Sequence, residues 1–292
     1  MNEPLIGIVT VLYNSETVLD DFFTTLSKQK YKNIKLYVVD NKSPDNSLNK
    51  SKELSKKCFF ESVFIANPQN DGVAKGNNLG IAMAITDRCE YILLSNNDIV
   101  LNENTILNLY EATIRSNVSI SVPKIYSFYN DHLWFAGGNF DKLTFKSKHI
   151  GFNKIDNGLF DKESFITYSP TCFMLIHKRV FDKVGMMDEK FFVYWDDTDF
   201  VYRAQKKGFK ILYVPTSTMK HKESVCTGNK SDFFYRYIYR NREYFINKHS
   251  GISWIRHFMD FVYLFTVMIF KMRGNKYQWN IVRKAMIEGC RM

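Results

Sequence analysis

Apolar residues recur along this chain in two alternating rhythms. Ile6 to Leu12 is a continuous, largely β-branched apolar run and predicts a buried strand. Asn14 and Ser15, both residues that cap helix N-termini, follow it. Val18, Leu19, Phe22, Phe23 and Leu26 then recur at helical spacing. Ile34 to Val39 predicts a second strand ending at Asp40, and turn chemistry from Asn41 to Ser47 precedes a helix reaching about Lys57. Phe60 to Ala66 predicts a third strand, Gly72 to Thr86 a loop feeding a helix, Tyr91 to Leu94 a fourth strand, and Asn104 to Arg115 a further helix. This βαβαβαβ order predicts a Rossmann-like α/β fold, a mostly parallel sheet with helices on both faces. Ligands bind such sheets at the carboxyl ends of the strands. Asp40, Asn70 and Asp98 each stand just past a predicted strand, so the three are expected to converge at one edge.

The rhythm changes near Val122. Short strand signals, Trp134 and Gly137-Gly138 predict hairpins. Thr167 to His177 predicts a strand leading to a helix at Arg179-Val180-Phe181. Phe209 to Val214 predicts the last strand, with His221 just beyond it. Residues after about Lys230 read as basic amphipathic helices. From Met219 to Met292 there are 14 Lys and Arg against 5 Asp and Glu, so this tail holds +9 of the chain's +10. A basic tail on a nearly neutral body implies an anionic partner, a membrane surface or a nucleic acid.

Met1-Asn2-Glu3-Pro4 leads straight into the first strand, which predicts no signal peptide. Phe261 to Phe270 is strongly apolar but bracketed by Asp260 and Lys271, too short for the roughly 20 residues that span a bilayer. It is expected to lie on a membrane or pack in a core. Cys58, Cys89, Cys172, Cys226 and Cys290 are scattered and form no CxxC, which argues against a disulfide framework or zinc site and fits a reducing compartment.

Tyr194-Trp195-Asp196-Asp197-Thr198-Asp199 places three carboxylates within four residues, directly after Phe191-Phe192-Val193. Such crowding raises carboxylate pKa values, a cost accepted for a base, a metal ligand or a cation's partner. The plainer reading is a helix start, with acids complementing the helix dipole and Asp199 four residues before Arg203. Asp98, with Asn96 and Asn97, suits an oxygen-ligated divalent cation bridging phosphates, or simply a strand-end turn. Asn70-Asp71-Gly72 and Gly76-Asn77-Asn78-Leu79-Gly80 read as a Gly/Asn-rich loop that brings N–H groups to phosphates, with Lys75 as a point charge, or as a structural cap. His221 is a metal-ligand candidate or an ordinary surface histidine.

The ordered set of motifs resembles the family-2 inverting glycosyltransferases of the GT-A fold, in the bacterial rhamnosyl- and galactofuranosyl-transferase group. The matching pieces are Thr10 to Ser15, Val39-Asp40-Asn41-Lys42-Ser43, Asn70-Asp71-Gly72, Gly76 to Gly80 and Leu94-Ser95-Asn96-Asn97-Asp98. Trp134 with Gly137-Gly138, Cys172 to Ile176 and Gly185 to Phe192 follow, then the acidic motif, Arg203, Gly208, His221, Ser224 and Arg240-Asn241. The resemblance covers residues 6 to about 245. It implies Asp197 as catalytic base, Trp195 and Asp196 facing the acceptor, and Asp98 with His221 holding Mg²⁺ or Mn²⁺. It also implies a nucleotide-sugar site at Thr10, Tyr13, Asp40, Asn70, Gly72, Lys75, Asn78 and Asn97. Two departures stand out: the metal motif is Asn96-Asn97-Asp98, with a single ionised ligand, and Ser169-Pro170-Thr171 replaces a customary glycine.

The resemblance further implies a nucleotide-sugar half at 1–121, an acceptor and catalytic half at 122–229, and a membrane-associating helical segment at 230–292. The expected enzyme moves a sugar from a dTDP-rhamnose or UDP-hexose type donor to a lipid-linked or oligosaccharide acceptor for surface polysaccharide such as O-antigen or capsule. Its expected place is the cytoplasm, peripheral on the inner face of the cell membrane. The tail helices alternatively cap the core or form a homodimer interface. A nucleic-acid-binding role predicts basic strand ends, whereas Asp40 and Asp98 stand there. A nucleotidyltransferase would want more than one strong acid at its metal. A catalytically silent nucleotide-binding or scaffolding protein of the same fold is the remaining alternative.

Overall fold

The computed structural model describes residues 3–142, 144–222, 231–250, 262–263, 265–266, 269 and 276–292. The chain divides into two compact units, one of residues 1–189 and 196–226, the other of 190–195 and 227–292.

The first unit is built on a ten-stranded sheet. In chain order its first half runs β1 (Ile6–Leu12), α1 (Leu19–Ser27), β2 (Ile34–Asp40), α2 (Ser47–Ser55), β3 (Glu61–Ala66), α3 (Gly72–Thr86), β4 (Tyr91–Ser95), β5 (Ile99–Leu101) and α4 (Thr105–Arg115). Then come β6 (Ile120–Ser127), β7 (Leu133–Phe135), β8 (Gly138–Asp141), β9 (Lys146–His149), β10 (Ser164–Ile166), β11 (Phe173–His177), α5 (Arg179–Val184), α6 (Asp196–Lys206) and β12 (Ile211–His221). The strand order is β10-β12-β6-β11-β4-β1-β2-β3, with β5 beside β12 and β7 beside β6. The strands β4, β1, β2 and β3 are parallel, β12 and β6 are parallel, and β11 lies antiparallel between β4 and β6. Strands β8 and β9 form a separate two-stranded sheet.

The helical spacing read in α1 is the spacing of its buried face: Leu19, Phe22, Phe23 and Leu26 are each at most 2% exposed. Full burial of side chains of this size is worth about 1.5–3 kcal/mol each before entropy is counted. In β1 and β2 nearly every residue is buried, as expected for strands covered on both faces.

Two expectations are corrected. The segment Gly76 to Gly80 is not a loop; α3 begins at Gly72 and runs through it. Its glycines serve close packing on β1, since a Cβ at Gly80 would lie 2.4 Å from Val9 Cγ1 and one at Gly76 2.8 Å from Val11 Cγ1. The last strand does not stop at Val214. Pro215 has no N–H to give the ladder, the register with β6 shifts between Val214 and Thr218, and pairing then resumes to His221. His221 is therefore the end of the strand rather than a residue beyond it.

The second unit contains α7 (Asp232–Ser250) and α8 (Lys276–Cys290), which pack against each other. Val282 is buried among Tyr235, Tyr239, Tyr263, Trp279 and Met286. Most of the apolar run from Phe261 to Phe270, and Ser224, lie outside the described residues. Among the described residues no helix is long and apolar enough to cross a membrane.

Candidate active site

Strand β5 pairs antiparallel with the end of β12, and Ile99 stands opposite His221. The Lys222 N–H donates to the Asp98 carbonyl at 2.8 Å, closing that pairing. The consequence is that Asp98 Oδ1 and His221 Nε2 lie 3.1 Å apart. Both residues are buried. Burial alone would raise the pKa of Asp98, but the hydrogen bond and charge of His221, with contributions from the backbone and Asn96, outweigh it and hold the carboxyl below its usual range. Asp98 is thus an ionised group in a pocket of protein.

The loop carrying Asp98 is tied to the sheet by Asn97, whose side-chain amide donates to the Val11 carbonyl at 2.8 Å. On the neighbouring strand Asp40 is in register with Leu12, and its carboxylate accepts the Ser43 N–H. The Asn41 amide donates to the Gly72 carbonyl at 2.9 Å and accepts from Asn67 at 3.1 Å. Asn70 accepts the Gly72 N–H at 3.0 Å, an Asx turn that opens α3. The carboxyl ends of β1, β2 and β4 therefore meet, as parallel pairing requires. Thr10 is buried in β1 and its hydroxyl has no hydrogen-bond partner. Tyr13 is 42% exposed at the same strand end.

Two residues of the expected set are engaged elsewhere. Lys75 pairs with Asp71 at 3.0 Å, one helical turn back. Asn78 donates to the Met187 carbonyl at 2.9 Å and to Glu189 at 3.0 Å, and accepts the Met187 N–H at 3.0 Å. That amide is saturated by a clamp on the segment after α5, so its sequence position beside two glycines misrepresents its surroundings.

The acidic motif opens α6, so the helix-start reading holds. Asp199 is fully buried and pairs with Arg203 Nε at 2.7 Å; that guanidinium also donates to the carbonyls of Val184 and Met186. Asp196 is buried, and burial followed by the charge of Asp197 pushes its carboxyl up to about 8. Burial also raises Asp197, opposed by hydrogen bonds from the Thr198 N–H at 2.6 Å, the Thr198 hydroxyl at 3.1 Å and the Tyr168 hydroxyl at 3.2 Å. The helix is preceded by left-handed backbone at Tyr194 (φ 63°) and Trp195 (φ 68°), a conformation costing on the order of 1–3 kcal/mol per residue. In the second unit the buried Asn241 amide holds that turn, donating to the carbonyls of Phe191, Val193 and Tyr194 at 3.2, 2.7 and 2.9 Å. The indole N–H of Trp195 has no partner.

An aromatic wall links the two acids. The Trp134 ring packs edge-on to His221 at 4.6 Å and to His149 at 4.7 Å, and His149 stacks on Tyr168 at 5.8 Å. Cys172 is buried behind it; burial raises its thiol, and the charges of Asp98 and Asp197 raise it further. Both carboxylates therefore lie within electrostatic reach of one thiol. Sequence reasoning marked Trp134 and Cys172 but missed His149 and Tyr168, which no period or motif distinguishes.

Among the described residues no three His, Cys, Asp or Glu cluster as a metal cage. Asp98 and His221 offer one carboxylate and one imidazole, whose Nδ1 is buried without a partner. This donor set fits a divalent cation that takes its other ligands from a bound phosphate or water.

The chain matches Glycosyl transferase family 2 over residues 7–185. It is 25% identical over 248 residues to a low-salt glycan biosynthesis hexosyltransferase of Haloferax volcanii, covering 81% of this chain and 74% of that one. It is 26% identical over 222 residues to a dTDP-rhamnosyl transferase of Shigella flexneri, covering 76% and 70%. Its fold is similar to a mannosyltransferase from Pyrobaculum calidifontis solved with GDP-mannose and Mn²⁺, with TM-score 0.61, 11% identity and coverage of 98% and 74%. The architecture is the GT-A fold, and the chain belongs to glycosyl transferase family 2.

Proposed function

We propose that this chain moves a sugar from a nucleoside-diphosphate sugar, of the dTDP-rhamnose or UDP-hexose type, to a hydroxyl of a glycan acceptor with inversion at the anomeric carbon. The observation that carries the reading is the placement of two acids within electrostatic reach of Cys172: buried Asp98, held ionised beside His221, and partly buried Asp197, hydrogen-bonded by Thr198 and Tyr168. The names of the relatives support a sugar donor carried on a nucleotide.

In this mechanism Asp197 accepts the acceptor hydroxyl's proton. The freed oxygen attacks the anomeric carbon, and the electron pair of the breaking bond leaves with the nucleoside diphosphate on the opposite side. A positioned base contributes typically about 10²–10⁴-fold. Asp196, pushed up to about 8, keeps its proton near neutral pH. A protonated Asp196 places no charge beside Asp197, which favours the ionised form of Asp197, and it can donate to the acceptor. Mg²⁺ or Mn²⁺ held by Asp98 and His221 would supply positive charge against the leaving diphosphate. Asp40, Thr10, Tyr13, Asn70, Gly72 and Asn97, gathered at the strand ends, receive the nucleotide.

The reading extends to a lipid-linked acceptor at the cytoplasmic membrane face. The tail's net charge supports it, at about 1 kcal/mol per basic residue near anionic lipid. So do the exposed Val262, Phe265 and Ile269. The test of the function is a panel of nucleotide sugars with Mn²⁺, read by released nucleoside diphosphate and product mass. Turnover of one donor supports it, and no release from any donor rejects it.

A further inference from the structure

The small sheet of β8 and β9 stands apart from the main sheet, and the mechanism above gives it no task. Its pairing sets Gly138 opposite His149 and Phe140 opposite Ser147. Side chains two residues apart share a face of a strand, so these four positions form one surface. Tyr168 lies against it. Its N–H donates to the Gly138 carbonyl at 3.1 Å, and a Cβ at 138 would stand 2.5 Å from the Tyr168 carbonyl oxygen and 2.9 Å from its ring. The His149 ring is stacked on the phenol at 28°, and its Nδ1 lies 3.1 Å from the Trp134 carbonyl, which fixes the imidazole. The ring is therefore held from below by a missing side chain and from one face by an imidazole, which fixes where its hydroxyl tip points. That tip donates to Asp197 Oδ2 at 3.2 Å.

We propose that Tyr168 is a positioning residue for Asp197: the β8–β9 hairpin cradles the phenol so that its hydroxyl orients one carboxylate oxygen and favours the ionised form. The inference rests on the reading of Asp197 as the base. The titratable groups around Asp197 are Asp196 and Asp199 on its own helix, Tyr168 and Cys172 on the β10–β11 connection, and His149 on β9 behind the phenol. The tyrosine stays protonated throughout, because burial and then the charge of Asp197 raise its pKa well above the ordinary value. It acts only as a donor. A hydrogen bond to the charged form lowers a carboxyl pKa, so its loss must raise it.

The test is a carboxyl titration of the full chain labelled with ¹³C at aspartate side chains, with the Asp197 resonance identified as the one lost in Asp197→Asn. Tyr168→Phe keeps the ring and removes the donor. The midpoint of Asp197 should rise by about one pH unit, the scale of one charged hydrogen bond, and the acid limb of donor turnover should move with it. A ring that only fills space would leave both unchanged, and an unchanged midpoint overturns the proposal. Should Tyr168→Phe not fold, His149→Ala, which removes the ring stacked on the phenol, is read instead. A smaller rise in the same direction supports the proposal and no rise overturns it. Wild-type turnover by Asp197→Asn would sink the base reading and the catalytic meaning of Tyr168 with it. A flat titration beside an inactive Asp197→Asn would sink the positioning role alone.

Discussion

Asp98 Oδ1 and His221 Nε2 stand 3.1 Å apart although 123 residues separate them in the chain. The three-residue strand β5 makes that meeting, because its pairing with β12 places Ile99 opposite His221. Under the proposed reading this carboxylate and this imidazole hold the cation together. Asp98→Ala or His221→Ala should therefore weaken Mn²⁺-dependent binding of UDP or dTDP by at least about tenfold, the scale on which metal-site partners act. Isothermal calorimetry with and without Mn²⁺ measures it. Unaltered affinity in both variants would remove the pair from the donor site.

Much of this fold was legible in the residues. Strands β1, β2 and β4 read as continuous apolar runs because they are buried on both faces, while β3 at the sheet edge is only partly buried. Asp199 and Arg203 form the pair that their spacing implied. What escaped was structure set by distant partners. Strand β5 is too short to show a period, and the proline in β12 masks the strand's continuation to His221. The Gly76 to Gly80 segment has loop composition, yet its glycines mark a helix pressed onto a strand. Tyr168 has no local signature at all, since its role arises from a hairpin some twenty to thirty residues earlier.

The packing of α3 on β1 gives a prediction opposite to helix propensity. Alanine in place of a mid-helix glycine ordinarily stabilises by about 1 kcal/mol. At Gly80 the added Cβ would lie 2.4 Å from Val9 Cγ1, on a fully buried strand residue with no room to yield. Overpacking of this kind costs about 1–3 kcal/mol. Gly80→Ala should therefore destabilise the protein in urea or thermal unfolding. A stabilised variant would show that α3 can lift from β1 without cost.

Asn241 offers a separate test of the turn that precedes the acids. Its amide serves three carbonyls, and Asn241→Ala leaves them without that donor. Buried unsatisfied groups cost about 1–3 kcal/mol each, and the strain at Tyr194 and Trp195 would lose its restraint. The expected result is a fall in thermal stability of several degrees, on a scale of about 2–4 °C per kcal/mol for a chain of this size. An unchanged melting temperature would mean that other contacts hold the turn.

The pH dependence of stability follows from Asp196. Burial, then the charge of Asp197, raises its carboxyl from 3.8 to about 8. A carboxyl raised in the folded state binds its proton more tightly there than in the unfolded chain. Its stabilising contribution is therefore complete below the ordinary value and is lost as pH climbs to about 8. Asp196→Asn removes this loss. The variant's melting temperature should exceed the wild type's by a margin that grows from mildly acidic to mildly alkaline pH. Parallel curves would contradict the raised pKa.

The central claim is that Asp197 is the base of a glycosyl transfer, and Asp197→Asn tests it most directly. Single-turnover transfer with the donor identified by the nucleotide-sugar panel should fall by about 10²-fold or more, as expected for loss of a general base, while donor affinity measured by calorimetry stays within a few-fold of wild type. Transfer by Asp197→Asn at the wild-type rate, with donor bound as tightly, would contradict the account.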